Sequence, residues 1–327
     1  MLRIVRPLIS VGTVVVSLAA CAQGTTLDRP ADGSHGEDGS VDAGGAGPFG
    51  AIGHVGDGGS ARDGSGWDPP PGSSAGPCSD VTHHIYLVSP SQELFSFHPA
   101  GLELHRIGRL RCGDGGPFSM AVDRNGVAWI VDWNGPVSRV DIATGRCETT
   151  PYKVEDGAPF RNFGMAFAAD DGPDQETLYV RDAVFFNDTD GANPARTLGV
   201  FDRRSYAVRP LGQGAGANAD LTGTGDGRLF GFVKQSGASF VSEFDKLTGA
   251  TLSERALPGV TIGSSWAFAT WGGAFWFFVT NDEDALSSRV YRLDPDSQAP
   301  PELVMPVLLT AVIGAGVSTC APTEVPH

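Results

Sequence analysis

The chain carries 38 acidic against 23 basic residues over its 327 positions, a formal net charge of −15 at pH 7. So acidic a protein repels nucleic acid and anionic lipid surfaces, which excludes nucleic acid as a partner and leaves neutral or cationic ligands. Its five cysteines, Cys21, Cys78, Cys112, Cys147 and Cys320, include no C-x-x-C pair, which excludes a zinc site of the short-spacing kind.

In chain order, Arg3 and Arg6 precede the apolar run "PLISVGTVVVSLAA", and Cys21 follows it. Charge before a short apolar core is the order of an export signal, and the core is too short to span a membrane comfortably. Leu18 to Cys21, "LAAC", resembles the lipobox of bacterial lipoproteins. That resemblance implies a signal peptide over 1–20, acylation of Cys21 and a lipid anchor in a bacterial membrane. Ala22 stands where an aspartate would retain the protein at the inner membrane. By the enterobacterial rule the outer membrane is then implied, with the domain in the periplasm or on the cell surface. The other reading is an ordinary signal cleaved near "SLAA", which leaves Cys21 as a thiol.

Residues 22–77 are dominated by Gly, Asp, Ser, Ala and Pro without apolar periodicity. Such a segment buries too little surface to offset its chain entropy, so 21–77 is expected to be the lipidated cysteine and a disordered tether. At the flexible-chain scaling it holds the next domain on the order of 40 Å from its anchor.

Residues 78–327 read as one all-β domain built from repeats. "FSMAVDRNGVAWIVDWNGPVSRVDIATG", Phe118 to Gly145, is three short strands cut by turns, and its pattern returns. "FGMAF", "TLYV", "LGVFD" and "SYAVRPL" form a second copy. "ADLTG", "RLFGFV" and "FVSEFD" form a third, and "WAFAT", "AFWFFV", "RVYRLD" and "ELVMPVLL" a fourth. Asn125-Gly126, Asp226-Gly227 and Gly272-Gly273 supply the positive φ of tight turns after each first strand. Asp141, Asp202, Asp245 and Asp294 end each third strand and are expected to be turn residues, as is Asp123. Unit starts recur at roughly 45 to 55 residues, the period of a four-stranded propeller blade. The first unit, "HIYLVS", "ELFSFHP" and "LELHRIG", lacks an inner strand, which "AVIGAGVSTC" at the C-terminal end supplies. The expected fold is therefore a five-bladed β-propeller whose ring is closed by the C-terminal strand. A sixth blade finds no room unless the loop from Arg181 to Thr197 hides irregular strands. Four cysteines beyond Cys21 imply two disulfides, and this closure pairs Cys78 with Cys320 and leaves Cys112 with Cys147.

"MAVDRNGVAWIVD" followed by "VSRVD" resembles the repeats of the NHL, senescence-marker-protein-30 and lactonase-like propellers. In lactonase-type propellers a divalent ion at the channel mouth is held by Glu, Asn and Asp from separate blades. The resemblance implies Asn162, Asn218 and Asp132 as positional analogues, with Ca²⁺ as the ion. The plainer reading of the same loops is a solvated acidic rim.

Loops before first strands and between second and third strands line a propeller mouth. They gather Arg161, Asn162, Asn218, Ser264 and Ser265 with Asp132, Trp133, Asn134, Asp182, Asn187, Asp188, Asp190, Asn281, Asp282, Glu283 and Asp284. Asp132, Trp133, Asn134, Asp282 and Asp284 are the candidate ligand-binding residues, Trp133 as a stacking surface for a sugar or cyclic ligand or as packing between blades. Trp129, Trp266 and Trp276 are expected in the core, and Trp271 flanks a turn. His83, His84, His98 and His105 all fall in the first unit, none in a mouth loop, and no nucleophile motif is present, so no catalytic residue is assigned. The sequence thus reads as a membrane-anchored propeller that binds a small molecule, glycan or protein without catalysis of its own. The alternatives are a Ca²⁺-dependent lactonase-like hydrolase and a lectin-like propeller.

Overall fold

The computed structural model describes residues 78–112, 115–154, 158–171, 174–183, 197–212, 217–281 and 284–326. The expected signal, Cys21 and tether lie outside the described residues, as do Asn187, Asp188, Asp190, Asp282 and Glu283.

Among the described residues the strands form five antiparallel four-stranded sheets, the blades of a β-propeller. From inner to outer edge, blade 1 is Gly314–Gly316, Ile85–Val88, Glu93–His98 and Glu103–Arg109. Blade 2 is Pro117–Val122, Val127–Asp132, Val137–Asp141 and Cys147–Thr149. Blade 3 is Phe163–Ala169, Glu176–Asp182, Leu198–Asp202 and Ala207–Pro210. Blade 4 is Ala219–Gly223, Leu229–Gln235, Ala238–Phe244 and Thr251–Ala256, and blade 5 is Trp266–Trp271, Ala274–Asn281, Asp284–Leu293 and Glu302–Leu308. Each inner strand lies beside those of the two neighbouring blades, so the ring is closed. One 3-10 turn, Asp80–His83, leads into blade 1.

The expected turn chemistry holds locally. Gly126 and Gly227 adopt φ of +79° and +85° at the tips of their hairpins. Asp141 Oδ1 accepts the backbone N–H of Ala143 and Thr144, and Asp202, Asp245 and Asp294 cap their turns in the same way. Asp123 takes the N–H groups of Asn125 and Val127, with Trp129 Nε1 on its second oxygen.

Inner and second strands are buried along most of their length because both of their faces are covered by neighbouring blades. Alternation then sends successive residues to different interfaces. Ile85 and Leu87 pack with Phe278 and Trp276 of blade 5, whereas Tyr86 and Val88 pack with Met120 and Ile130 of blade 2. Apolar clusters of this kind fill each of the five seams between blades. Trp129, Trp271 and Trp276 lie inside them, Trp271 donating to the His83 carbonyl at 2.7 Å. At the axis the inner strands touch backbone to backbone: a Cβ on Gly164 would lie 2.2 Å from the Ala219 carbonyl oxygen, and one on Gly223 2.1 Å from that of Phe167.

Closure follows the expected route. Gly314–Gly316 pairs antiparallel with Ile85–Val88 in the register Tyr86↔Gly316, Leu87↔Ala315 and Val88↔Gly314. Cys320 beyond it is joined to Cys78, a disulfide spanning 242 positions of sequence. The second expected bridge is not formed, and Cys112 and Cys147 are free thiols. They are nonetheless neighbours in the seam between blades 1 and 2. Burial, then a hydrogen bond with Cys147, pushes the Cys112 thiol well above the usual thiol range.

Candidate functional site

At the end of the ring where first strands begin, a narrow cleft of about 30 Å³ opens beside the inner strands. Its walls are aromatic and its floor is polar. Trp133 and Phe118 meet edge to face, ring centroids 4.7 Å apart, on one side. Trp266 stands on the other, with Lys234 Nζ 5.9 Å from its ring centroid. Asn218, Ser264 and Ser265 complete the rim, where Ser265 donates to the Val312 carbonyl at 3.0 Å and pairs with Thr280.

The floor is Asp220. It lies near the start of the blade 4 inner strand, and small residues stand near the starts of the other inner strands, Ser119, Gly164, Ala267 and Gly314. Small residues are required there because the five inner strands crowd the axis. The one carboxyl group that enters must therefore cross it. Asp220 Oδ1 accepts from Ser119 Oγ of blade 2 at 2.9 Å, and Oδ2 accepts the Phe268 N–H of blade 5 at 3.0 Å. Ser119 Oγ in turn accepts the Met165 N–H of blade 3 at 3.3 Å. Four blades are thereby tied through one carboxyl group. Burial pushes the Asp220 pKa up to about 8, with the bonds from Ser119, Phe268 and Leu221 acting against it. Near neutrality it is mostly a neutral acid, able to donate a proton or to ionise beside an arriving cation.

The expected ligand residues separate. Of three consecutive residues, only Trp133 faces the cleft. Asn134 is exposed on the tight turn closed by Gly135 N–H to the Asp132 carbonyl. The Asp132 carboxyl turns away from the cleft, against Gly115, and burial raises its pKa to about 7. Asn162 is spent as a clamp, its amide donating to the carbonyls of Asp132 and Trp133 at 3.1 Å each. Asn218 does reach the cleft wall. The set Asn162, Asn218 and Asp132 is thus not assembled as one group of metal ligands, because strand alternation and the clamp direct two of its members elsewhere. Asp284 is exposed and accepts the Leu286 N–H at 3.1 Å in its own turn, and Asp282 is outside the described residues. Trp266, expected in the core, is half-buried and walls the cleft.

Asp220, Ser119, Phe118 and Trp266 are the site residues that sequence reasoning missed. The signal for Asp220 was present as the single acid within the five inner strands. For Ser119 and Trp266 no signal distinguishes them from strand residues until the axis is located.

At the opposite end of the ring a second buried carboxyl is structural. Glu176 accepts the Arg124 N–H and the Thr319 hydroxyl, both at 2.8 Å, joining blades 2 and 3 to the C-terminal segment. Burial, then the neighbouring Asp123, raises its pKa to about 7.

No family model matches the chain, and no curated protein matches it. Solved structures similar to it include a nidogen/laminin complex, with 15% identity over 72% of this chain and 80% of that one, at a TM-score of 0.41. TolB from Acinetobacter baumannii shows 13% identity over 72% and 68% of the two chains, at 0.40. A luciferin-regenerating enzyme shows 14% over 72% and 75%, at 0.39. These are likenesses of propeller architecture and carry nothing about a ligand or reaction.

Proposed function

We propose that the protein is an extracytoplasmic binding module, held to a bacterial membrane by a lipid on Cys21, whose propeller mouth takes a small cationic or neutral polar ligand. One observation carries the ligand reading: a buried acid, Asp220, closes a cleft walled by Trp133 and Trp266. Aromatic faces attract cations and stack on sugar rings, and an acid with a raised pKa gains most when a cation restores its charge. Titrating tetramethylammonium and a neutral methyl glycoside against tryptophan emission and thermal midpoint tests this. The expected result is a saturable response to at least one probe that is lost in Trp266→Ala, with any preference for the cation lost in Asp220→Asn. No response to either probe at millimolar concentration, or one that survives both substitutions, would overturn it.

A metal-dependent hydrolase with Asn162, Asn218 and Asp132 as ligands fits less well, because the Asp132 carboxyl stands outside the cleft wall. The anchor rests on "LAAC" and the preceding apolar run. Radiolabelled palmitate should be incorporated by the wild type and not by Cys21→Ser, which should leave the membrane fraction. Unchanged fractionation of that variant would refute the anchor.

A further inference from the structure

Away from the mouth, the two outer strands of blade 1 bring together ligands that chain order conceals. Glu93–His98 and Glu103–Arg109 pair antiparallel in a register that sets His98 opposite Glu103 and Ser96 opposite His105. With a side-chain period of two, all four project from one face, and directly opposite or diagonal partners are within reach of long side chains. The side chains do converge. One donor atom from each of His98, Glu103 and His105 lies within 4.8 Å of the others, and His105 Nε2 is 3.4 Å from Glu103 Oε2. The His98 and His105 rings are 4.6 Å apart by centroid, and His84 stacks on His98 at 3.7 Å with the planes 8° from parallel.

We propose that His98, Glu103 and His105 form a binding site for a divalent transition-metal ion of the zinc class, with His84 holding the His98 ring in place. Two imidazoles and a carboxylate are the donor set that suits zinc, and not Ca²⁺, which takes hard oxygen ligands. A tetrahedral ion with bonds of about 2.0–2.1 Å needs its donors roughly 3.3 Å apart. Closing the present spacing takes side-chain rotation alone, because the Glu103 and His105 side chains are more than half exposed, at 63% and 56%. The same exposure leaves a coordination position open to water.

The test is calorimetric titration of Zn²⁺ into the untagged full-length protein, with Ca²⁺ as comparison and the Co²⁺ absorption spectrum as a readout of geometry. One Zn²⁺ per chain is expected, with a tetrahedral-type cobalt spectrum. Binding should be lost in His98→Ala and in His105→Ala, and weakened about tenfold in His84→Ala, as for a residue that orients a ligand. Thermal unfolding of each variant without metal establishes that the blade is intact. Should the His98→Ala/His105→Ala double variant retain zinc binding, or the wild type bind none, the site does not exist.

Discussion

Replacing Asp220 with asparagine tests the cleft floor most directly. In the native state its pKa is about 8, against an ordinary value of 3.8. From about pH 4 to about pH 8 the native state therefore holds a proton that the unfolded chain has released. Its contribution to stability falls as pH rises through that window and is flat above it. At about 1.4 kcal/mol per pKa unit, the fall is on the order of 6 kcal/mol. Asparagine cannot titrate, yet its amide oxygen can accept the Phe268 N–H while its amide nitrogen donates to Ser119 Oγ, so the contacts across the axis survive. Urea unfolding of both proteins at successive pH values gives the difference in stability. The variant should gain on the wild type by about 1.4 kcal/mol per pH unit across the window. Asp132 and Glu176, both raised to about 7, tilt the two curves alike and cancel in the difference. A difference that stays constant with pH would refute the assignment of a buried, protonated Asp220.

Opening the ring staple with Cys78→Ser frees a loop of 242 positions, and the chain-entropy model gives a loss of about 5 kcal/mol in urea unfolding. A loss under about 1 kcal/mol would mean that strand pairing alone closes the propeller. Gly164→Ala and Gly223→Ala, whose Cβ atoms would meet carbonyl oxygens at 2.2 and 2.1 Å, should cost at least the roughly 1–3 kcal/mol of overpacking. Gly108→Ala, with open space around its Cβ, is the comparison, and equal effects would contradict the tight axis. In the folded, unreduced protein Cys112 should alkylate more slowly than Cys147, since burial and Cys147 itself raise its pKa. Peptide mapping that joins Cys112 to Cys147 would replace this picture with a second disulfide.

The fold was legible because its determinants are local and repeated. Asn-Gly, Asp-Gly and Gly-Gly mark hairpins, an aspartate caps the third strand of blades 2 to 5, and inner strands rich in small and apolar residues follow from burial on both faces. The closure was legible from an absence in the first unit that the C-terminal segment matched. What stayed hidden depends on the angle between blades. Asp132, Trp133 and Asn134 look like one site in sequence, but a strand ending in a tight turn sends them in three directions. His84, His98 and His105 look scattered, yet a two-strand register brings His98 and His105 together, and His84, just before Ile85, stacks on His98.

Repetition itself supplies the criterion that separates the two classes of residue. Positions that several blades repeat, such as the turn aspartates of blades 2 to 5, are explained by what a blade needs. Positions where one blade breaks the rule need another explanation. Near the start of the inner strands stand the small residues Ser119, Gly164, Ala267 and Gly314, and blade 4 places a carboxyl group among them, lining the cleft. An alanine there would satisfy packing, as Ala267 does in blade 5. Retaining an acid in that place costs desolvation, which its elevated pKa records. Cross-axis bonding to Ser119 offsets part of that cost, and under the proposed function a cationic ligand at the mouth would offset the rest. The buried acid thus connects the architecture to the proposed function, since the same carboxyl group that bonds across the inner strands also lines the cleft.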